Sequence, residues 1–300
     1  MQEKTRYVGS VRFYKNMLLV VIALLVLGLT LVSLYYHHRY QQAAALLEAE
    51  YNASFESILD MDSDPLAYQT LYEDFYAPQL FDATNRVAGT AYLTFDGGPS
   101  SHTEELLALL AQKEIKATFF VTGNVHDDPQ YDALLRAIVE AGHTLGMGSW
   151  SNDYAAIYSS VESYLADMYA LYTYIVETTG VTPSVFRFAG GSINAYDAGI
   201  YRELIAEMIR RGFVPYDWNL SADGSAGSTQ LSAEELVLHV GDALVGLDRA
   251  VILLHDDDSY STTVEALPGI ISLLESRSFT LSCGGSFNRE LDLASTFGCV

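Results

Sequence analysis

Basic residues are scarce in this chain. Its 300 residues include 16 Lys and Arg against 38 Asp and Glu, a formal net charge of −22 at pH 7. Four of those 16 basic residues lie within residues 1–15, so the remainder is more acidic still. Such a surface repels phosphate backbones and anionic lipid headgroups. The charge therefore argues against nucleic-acid binding and is compatible with neutral or cationic glycans as ligands.

Cysteine is nearly absent as well. Cys283 and Cys299 are the two in the chain, and both lie near its C-terminus. Their spacing resembles no metal-binding motif, so we interpret the pair as structural. An oxidising compartment would permit a disulfide between them, within a C-terminal tail of residues 283–300.

Charge is missing altogether from residues 17–36, MLLVVIALLVLGLTLVSLYY. As a helix this segment is roughly 30 Å long, the thickness of a bilayer core. The basic residues before it predict a cytoplasmic tail at residues 1–16 and an extracellular location for everything that follows. We therefore expect a single-pass protein of the cell membrane, anchored by residues 17–36.

A cleaved signal peptide is the alternative interpretation of the same segment. Its apolar region would normally be shorter, about 7 to 15 residues. Residues 43–45, Ala-Ala-Ala, do offer a small-residue sequence of the kind found at cleavage sites. We favour the uncleaved anchor because of the length of the apolar run.

Beyond the apolar segment the pattern predicts a polar helical stalk and linker, residues 37–87. From residue 88 onward, short apolar runs alternate with amphipathic helical stretches. About seven such strand–helix units predict an α/β domain with a parallel sheet. His143 follows a predicted helix, and we expect it to pack against the sheet with a ring nitrogen bonded to the backbone.

The most informative stretch is residues 94–100, Thr-Phe-Asp-Gly-Gly-Pro-Ser. A buried strand ends at Asp96, because Gly-Gly-Pro cannot continue it. Four other predicted strands also end in polar residues, and in α/β folds these ends meet at one face, where catalytic groups lie. Those ends are residues 148–152, Arg187, Asp217 with Trp218, and His255 with Asp256.

Five segments resemble the motifs of the polysaccharide deacetylase (NodB-homology) family, especially its cell-surface members from Gram-positive bacteria. They are residues 94–100, 142–152, 186–192, 216–218 and 252–256. The resemblance spans a domain of residues 88–282 and implies a distorted (β/α)7 barrel. It also implies an N-acetylated cell-envelope glycan as the partner of the site.

The resemblance assigns roles to six residues that match the family's motifs. Trp218 and Leu253 correspond to the walls of the acetyl pocket. The catalytic set implied is Asp96 as general base, Arg187 orienting it, His255 as general acid, and Asp217 tuning that histidine.

The family's three metal ligands have no counterpart. Gly97, Gly148 and Asn152 occupy the positions of an aspartate and two histidines. The family uses a divalent metal such as zinc, but glycine offers no side-chain ligand and asparagine a poor one. From this we expect no cofactor. Replacement ligands would have to come from residues outside the family's positions, such as Asp153, Asp223 or His126.

Two functions follow from this pattern. The first is a pseudoenzyme that binds N-acetylated glycan without hydrolysing it, and we favour it because Asp96 alone cannot generate hydroxide. The second is an active deacetylase of peptidoglycan or chitin-like glycan with a rearranged metal site. A scaffold that neither binds nor hydrolyses sugar is a third, weaker alternative.

Overall fold

The computed structural model describes residues 12–28, 30, 33–35, 37–38, 65–78, 88–123, 128–192, 194–197, 199–223 and 231–282. The chain divides into two compact units, residues 1–57 and residues 58–300. Most of the predicted stalk lies outside the described residues, as do Cys283, Cys299 and His126. The stalk and the disulfide therefore stay predictions.

The first unit contains a long apolar helix, α1 (Arg12–Tyr35), of 24 residues. Its most apolar stretch has a mean hydropathy of 3.0, and none of that stretch is buried inside the protein. Leu24 and Leu25, for example, are each 62% exposed. By length and composition this helix is able to cross a membrane.

The second unit is built on one sheet of eight strands. The strands are β1 (Thr90–Asp96), β2 (Thr118–Thr122), β3 (Thr144–Ser149), β4 (Val185–Phe186), β5 (Val214–Pro215), β6 (Leu220–Ser221), β7 (Arg249–His255) and β8 (Thr280–Leu281). Their order is β5-β4-β3-β2-β1-β7-β6, and β8 pairs with the beginning of β1. Each of these pairings is parallel.

Helices connect the strands, as parallel pairing requires. They are α2 (Thr103–Gln112), α3 (Pro129–Glu140), α4 (Tyr154–Ile157), α5 (Val161–Thr179), α6 (Tyr201–Arg210), α7 (Ala233–Ala243) and α8 (Thr262–Ser276). Short 3-10 turns cover Ala67–Thr70 and Asp258–Tyr260. The longest connecting helix, α5, begins after Ser160, whose side chain accepts from the backbone of Ser163, and ends at Gly180 with φ 72°.

The predicted α/β fold with a parallel sheet is confirmed. The sheet curls into a half-barrel, and among the described strands β5 and β6 lie at opposite ends of the pairing order. The strand predicted to end at Asp217 and Trp218 is instead the two-residue β5, which ends at Pro215 and is followed by the separate β6. Pro215 in β5 has no backbone N–H to donate, which is consistent with a short strand at the edge of the sheet.

Residues 65–78, which precede the predicted domain, pack against α6. Arg211 follows that helix, is 1% exposed, and donates to the Glu207 carboxylate at 2.6 Å. Its guanidinium also donates to four backbone carbonyls of this segment, those of Tyr68, Leu71, Tyr72 and Phe75. A domain boundary at residue 88 stays a prediction, and these contacts lead us to propose an earlier one.

The expectation for His143 is confirmed. The side chain is 7% exposed, and its Nδ1 accepts a hydrogen bond from the Ala117 backbone N–H at 3.1 Å. Burial, assisted by the nearby charge of Lys116, lowers the pKa of His143 to about 4. This histidine is therefore neutral and structural at physiological pH.

Candidate active site

The ends of the central strands surround a cavity of about 740 Å³. The C-terminal residue of β1, Asp96, and that of β7, His255, both line it. These two residues are direct partners in the register of the two strands. Parallel pairing thus brings together an acid and an imidazole that are far apart in the sequence.

Arg187 fixes the carboxylate of Asp96. Its guanidinium NH1 lies 2.6 Å from Asp96 Oδ1 and 3.0 Å from the Thr94 hydroxyl, and its Nε donates to the Tyr216 carbonyl at 2.8 Å. The guanidinium carbon lies 4.3 Å from the centroid of the Phe120 ring. Arg187 is 1% exposed, and these contacts hold its guanidinium group in place from several sides. The expected contact between Arg187 and Asp96 is present.

Burial controls the ionisation of Asp96. The positive charge of Arg187 favours the ionised form of Asp96 but does not dominate. Burial raises the pKa of Asp96 above its ordinary value, and the charges of Arg187 and His255 offset only part of that effect. Its carboxyl group is thus a stronger base than an exposed aspartate.

His255 is paired with an acid that the family motifs do not include. Its Nδ1 lies 2.5 Å from Asp223 Oδ2, and the Tyr260 ring stacks on the imidazole with centroids 4.1 Å apart. Asp223 follows the two-residue β6, and the sequence pattern gave it only as a candidate for reaching the site. The strand-end rule would have selected it had β6 been recognised as a strand.

The position expected for Asp217 needs a correction. The resemblance gave this residue the task of tuning His255, but the structure brings Asp223 to the histidine instead. Asp217 accepts from the Ser192 backbone N–H at 3.2 Å and from the Ser192 hydroxyl. Asp217 therefore joins the loop that follows β4 to the segment that follows β5.

The two residues expected to contact substrate both line the cavity. Leu253 lies in β7 and is 6% exposed. The Trp218 ring lies 5.3 Å from the guanidinium carbon of Arg187. They supply apolar walls beside the polar groups at the strand ends, and their role in binding substrate stays a prediction.

Two buried acids hold the loops around the cavity. Asp256 accepts from the hydroxyls of Ser100 and Thr103 at 2.6 and 2.7 Å, which joins the loop after β1 to the end of β7. Asp167 in α5 accepts from the hydroxyls and backbone N–H groups at the end of β3, at 2.7 to 2.9 Å. These bonds fix the backbone of the loops that carry Gly97 and Asn152.

The three residues that the resemblance aligns with metal ligands, Gly97, Gly148 and Asn152, all line the cavity. Gly97 has φ +96° and Asn152 has φ 55°, both in the left-handed region. A Cβ added to Gly148 would lie 2.9 Å from the Val121 carbonyl oxygen, closer than real Cβ atoms come. Asn152 supplies one neutral amide, so the residues present at these positions do not fit a divalent metal. Within the described parts of the chain, no three His, Cys, Asp or Glu side chains form a metal-binding group.

Comparison with known proteins decides the family. The polysaccharide deacetylase model matches residues 84–209. A peptidoglycan-N-acetylglucosamine deacetylase of Bacillus cereus is 31% identical over 207 residues, which cover 68% of this chain and 71% of the relative. The chain belongs to the polysaccharide deacetylase family.

Solved structures of the family agree with the fold. The catalytic domain of a peptidoglycan N-acetylglucosamine deacetylase from Eubacterium rectale superposes with a TM-score of 0.62 at 32% identity, covering 68% of this chain and 92% of that one. A mutant of a carbohydrate esterase family 4 pseudoenzyme, described as having restored enzymatic activity, gives a TM-score of 0.55. It covers 68% of this chain and 69% of its own, and at 18% identity it shows the fold alone.

Family membership overturns one expectation. We expected no cofactor, and this is wrong, because polysaccharide deacetylases normally use a divalent metal. The expectation rested on the residues at three positions, which do not by themselves determine what a family member binds. The chemistry of the cavity has to be judged with that metal in mind.

Proposed function

We propose that this polysaccharide deacetylase-family protein is a pseudoenzyme that binds N-acetylated cell-envelope glycan. The observation that supports this most strongly is the backbone around Gly148. The Val121 carbonyl oxygen lies 2.9 Å from the point where the Cβ of a ligand side chain would lie, closer than real Cβ atoms come. The cavity nevertheless keeps Asp96, Arg187 and Trp218 around one opening.

The proposed loss of hydrolysis follows from the chemistry of water attack on an amide. A bound divalent metal lowers the pKa of its water from 15.7 to about 7 and polarises the carbonyl. Asp96 is a carboxylate and stays a far weaker base than hydroxide, even with its raised pKa. Each 1.4 kcal/mol of lost transition-state stabilisation costs about tenfold in rate. The three altered positions therefore argue for binding without turnover.

The glycan is proposed from the names of relatives and from charge. The Bacillus cereus relative is named for peptidoglycan N-acetylglucosamine. An N-acetylglucosamine unit carries no charge, so the acidic chain, with its net charge of −22, does not repel it. We propose a glycan rich in N-acetylated sugars, and no nucleic acid, as the partner of the cavity.

Anchoring at the membrane is a further part of the proposal. Helix α1 has the length and composition of a membrane span, and the basic residues before residue 16 favour a cytoplasmic N-terminus. We propose a cytoplasmic tail (1–16), a transmembrane helix (17–36), a stalk that ends before residue 65, an extracellular deacetylase-like domain that includes residues 65–78 and 88–282, and a tail (283–300). The Gram-positive cell-surface type belongs to the same proposal.

One observation favours a second function, an active deacetylase with a rearranged site. Asp223 forms a close pair with His255, and Asp257 also lines the cavity near Gly97. These acids lie outside the family's ligand positions and bring carboxylates to the cavity that the family motifs do not supply. The pseudoenzyme is still favoured, because these side chains do not come together as a metal-binding group among the described residues.

Calorimetry with the full-length chain in mild detergent tests the binding proposal. We expect N-acetylglucosamine oligomers to bind, and we expect Trp218→Ala to weaken that binding about tenfold, since an aromatic face is lost. Leu238→Ala is the matched control, because Leu238 is a 68% exposed residue of α7. Absence of glycan binding by the natural chain would favour the scaffold alternative.

A further inference from the structure

We propose that the glycan site continues outside the cavity over Tyr154 and Tyr196, which form an outer sugar-binding subsite. This inference rests on the proposed function, because it concerns the same site. It also sets the ligand class, an N-acetylated oligosaccharide that reaches beyond the cavity rather than a single sugar or disaccharide.

Tyr154 joins the cavity to the outer surface. It is the first residue of α4, lines the cavity, and is half-buried. Burial, together with the charge of Asp96, raises the pKa of its phenol. Tyr154 thus lines the same cavity as Asp96 while part of its side chain stays exposed to solvent.

Two glycines allow aromatic rings to close on both sides of the loop after β4. A Cβ on Gly190 would lie 2.9 Å from the Tyr154 ring, and a Cβ on Gly191 would lie 2.8 Å from the Trp218 ring. Both glycines have positive φ, +80° and +85°. The glycine pair thus lies between Trp218 on one side and Tyr154 on the other. Tyr154 and Trp218 therefore each pack against one of these neighbouring glycines, and together with this loop they form an aromatic wall of the cavity.

Tyr196 extends this wall into solvent. Its side chain is 56% exposed, and its ring packs edge-to-face on Tyr154, with centroids 5.9 Å apart and planes at 83°. A single exposed aromatic residue is ordinary in a protein surface. Tyr196 is different because its ring packs on Tyr154, which lines the cavity. A sugar chain that extends from the cavity past Tyr154 therefore meets Tyr196 next.

The loop that carries Tyr196 is held in place by Asn194. The Asn194 side chain accepts from the backbone N–H of Tyr196 at 2.8 Å and donates to the Gly191 carbonyl and to Asp197 Oδ2, both at 2.9 Å. These bonds tie Tyr196 to the same glycine loop that contacts Trp218. A preorganised ring loses little entropy on binding, which is what a sugar-binding surface requires.

The chemistry of the wall fits a neutral sugar chain. Tyrosine and tryptophan offer an apolar face for the C–H surface of a sugar and a polar group for its hydroxyls. Asp153, directly before Tyr154, is exposed, and Asp257 lines the cavity, so both carboxylates would repel a glycan that carries carboxylates. We therefore expect N-acetylglucosamine oligomers to be preferred over oligomers of a uronic acid.

Chain-length dependence of binding tests the subsite. With the full-length protein in detergent, calorimetry should show the N-acetylglucosamine pentasaccharide binding about tenfold more tightly than the disaccharide. Tyr196→Ala should remove that preference by weakening the pentasaccharide alone, and Tyr196→Phe should keep it. Tyr196→Ser serves as a second variant, and Leu238→Ala as the control for loss of an exposed apolar side chain.

The possible results separate this inference from the proposed function. Equal affinities for the two oligomers, or a pentasaccharide affinity unchanged by Tyr196→Ala, would overturn the outer subsite and leave the proposed function standing. If the natural chain binds neither oligomer, both are wrong. A chain-length preference that Tyr196→Ala removes and Leu238→Ala leaves intact supports the subsite.

Discussion

The Val121 carbonyl oxygen lies 2.9 Å from the point where a side chain at residue 148 would begin. The resemblance aligns Gly148 with a metal-binding histidine of the family, and the backbone here leaves too little space for an ordinary side chain. Gly97 is also in a conformation that favours glycine, because residues with a side chain rarely adopt its φ of +96°. The local backbone at both positions therefore suits glycine.

The triple variant Gly97→Asp, Gly148→His, Asn152→His tests how far the site can be restored. We expect it to lose about 2 to 4 kcal/mol of unfolding free energy in EDTA, because two side chains enter unfavourable backbone positions. We expect its Zn²⁺ affinity to exceed that of the natural chain by at least about a hundredfold, equivalent to a stabilisation of about 2.7 kcal/mol at saturating metal. Weak acetate release should follow.

Thermal unfolding with and without Zn²⁺ provides the measurement for that variant. Asn152→His alone is the matched control, since histidine is tolerated at φ near 55° and one ligand does not make a site. A triple variant whose melting temperature responds to Zn²⁺ no more than that of the natural chain would contradict the prediction.

Arg187 is expected to matter more for stability than its partner Asp96. Arg187→Ala removes a buried cation from the Asp96 carboxylate and from the Tyr216 carbonyl, and should cost about 3 to 5 kcal/mol. Asp96→Asn keeps the shape and an acceptor for Arg187, so a cost below about 2 kcal/mol is expected. Urea unfolding of both variants measures the loss of unfolding free energy in each. Equal losses would show that Arg187 does not contribute more to stability than Asp96.

His143 should make the protein sensitive to acid. Its pKa of about 4 lies below the ordinary value of 6.5, so the unfolded chain binds a proton that the folded protein does not. The contribution is complete above pH 6.5 and is lost as the pH falls towards 4, by roughly 3 kcal/mol in total. His143→Asn keeps an acceptor for the Ala117 N–H and should lose less stability over that interval. Urea unfolding at pH 7 and pH 4.5 measures the loss of unfolding free energy for the natural chain and for His143→Asn. Equal losses between the two pH values in both proteins would contradict the role of His143.

Truncation should reveal where the folded domain begins. A chain lacking residues 1–64 keeps the four carbonyls that accept from Arg211, whereas one lacking residues 1–87 loses them together with fully buried Phe75. Burial of one phenylalanine contributes about 1.5 to 3 kcal/mol, and the unpaired Arg211 adds to the loss. We expect the shorter chain to unfold at a distinctly lower urea concentration. Equal midpoints would place the boundary at residue 88.

The strand ends in the sequence predicted that Asp96, Arg187 and His255 lie at one site, because their strands are marked by apolar runs or a matching motif. It could not pair Asp223 with His255, since β6 has only two residues and leaves no pattern in the sequence. For a related reason, the sequence does not predict the raised pKa of Asp96. The sequence names the neighbouring charge, while the burial that outweighs it exists only after folding.

The arrangement of β5 and β6 was also beyond the sequence. Residues 213–218 resemble one strand, yet β5 ends at Pro215 and β6 begins at Leu220. Pairing of β6 with β7, fixed by the register of Leu220 with Ile252, determines where Asp223 lies. Such long-range pairing is decided by packing across the sheet and not by local pattern.

Acetate release is the measurement that tests the pseudoenzyme proposal most directly. The full-length chain in detergent, supplied with Zn²⁺ and the N-acetylglucosamine pentasaccharide, should bind the sugar and release acetate no faster than Asp96→Asn does. The Asp96→Asn variant removes the carboxylate that the resemblance implies as general base, so it sets the background rate. Acetate release by the natural chain that is clearly faster, and that Asp96→Asn abolishes, would show an active deacetylase and contradict the proposal.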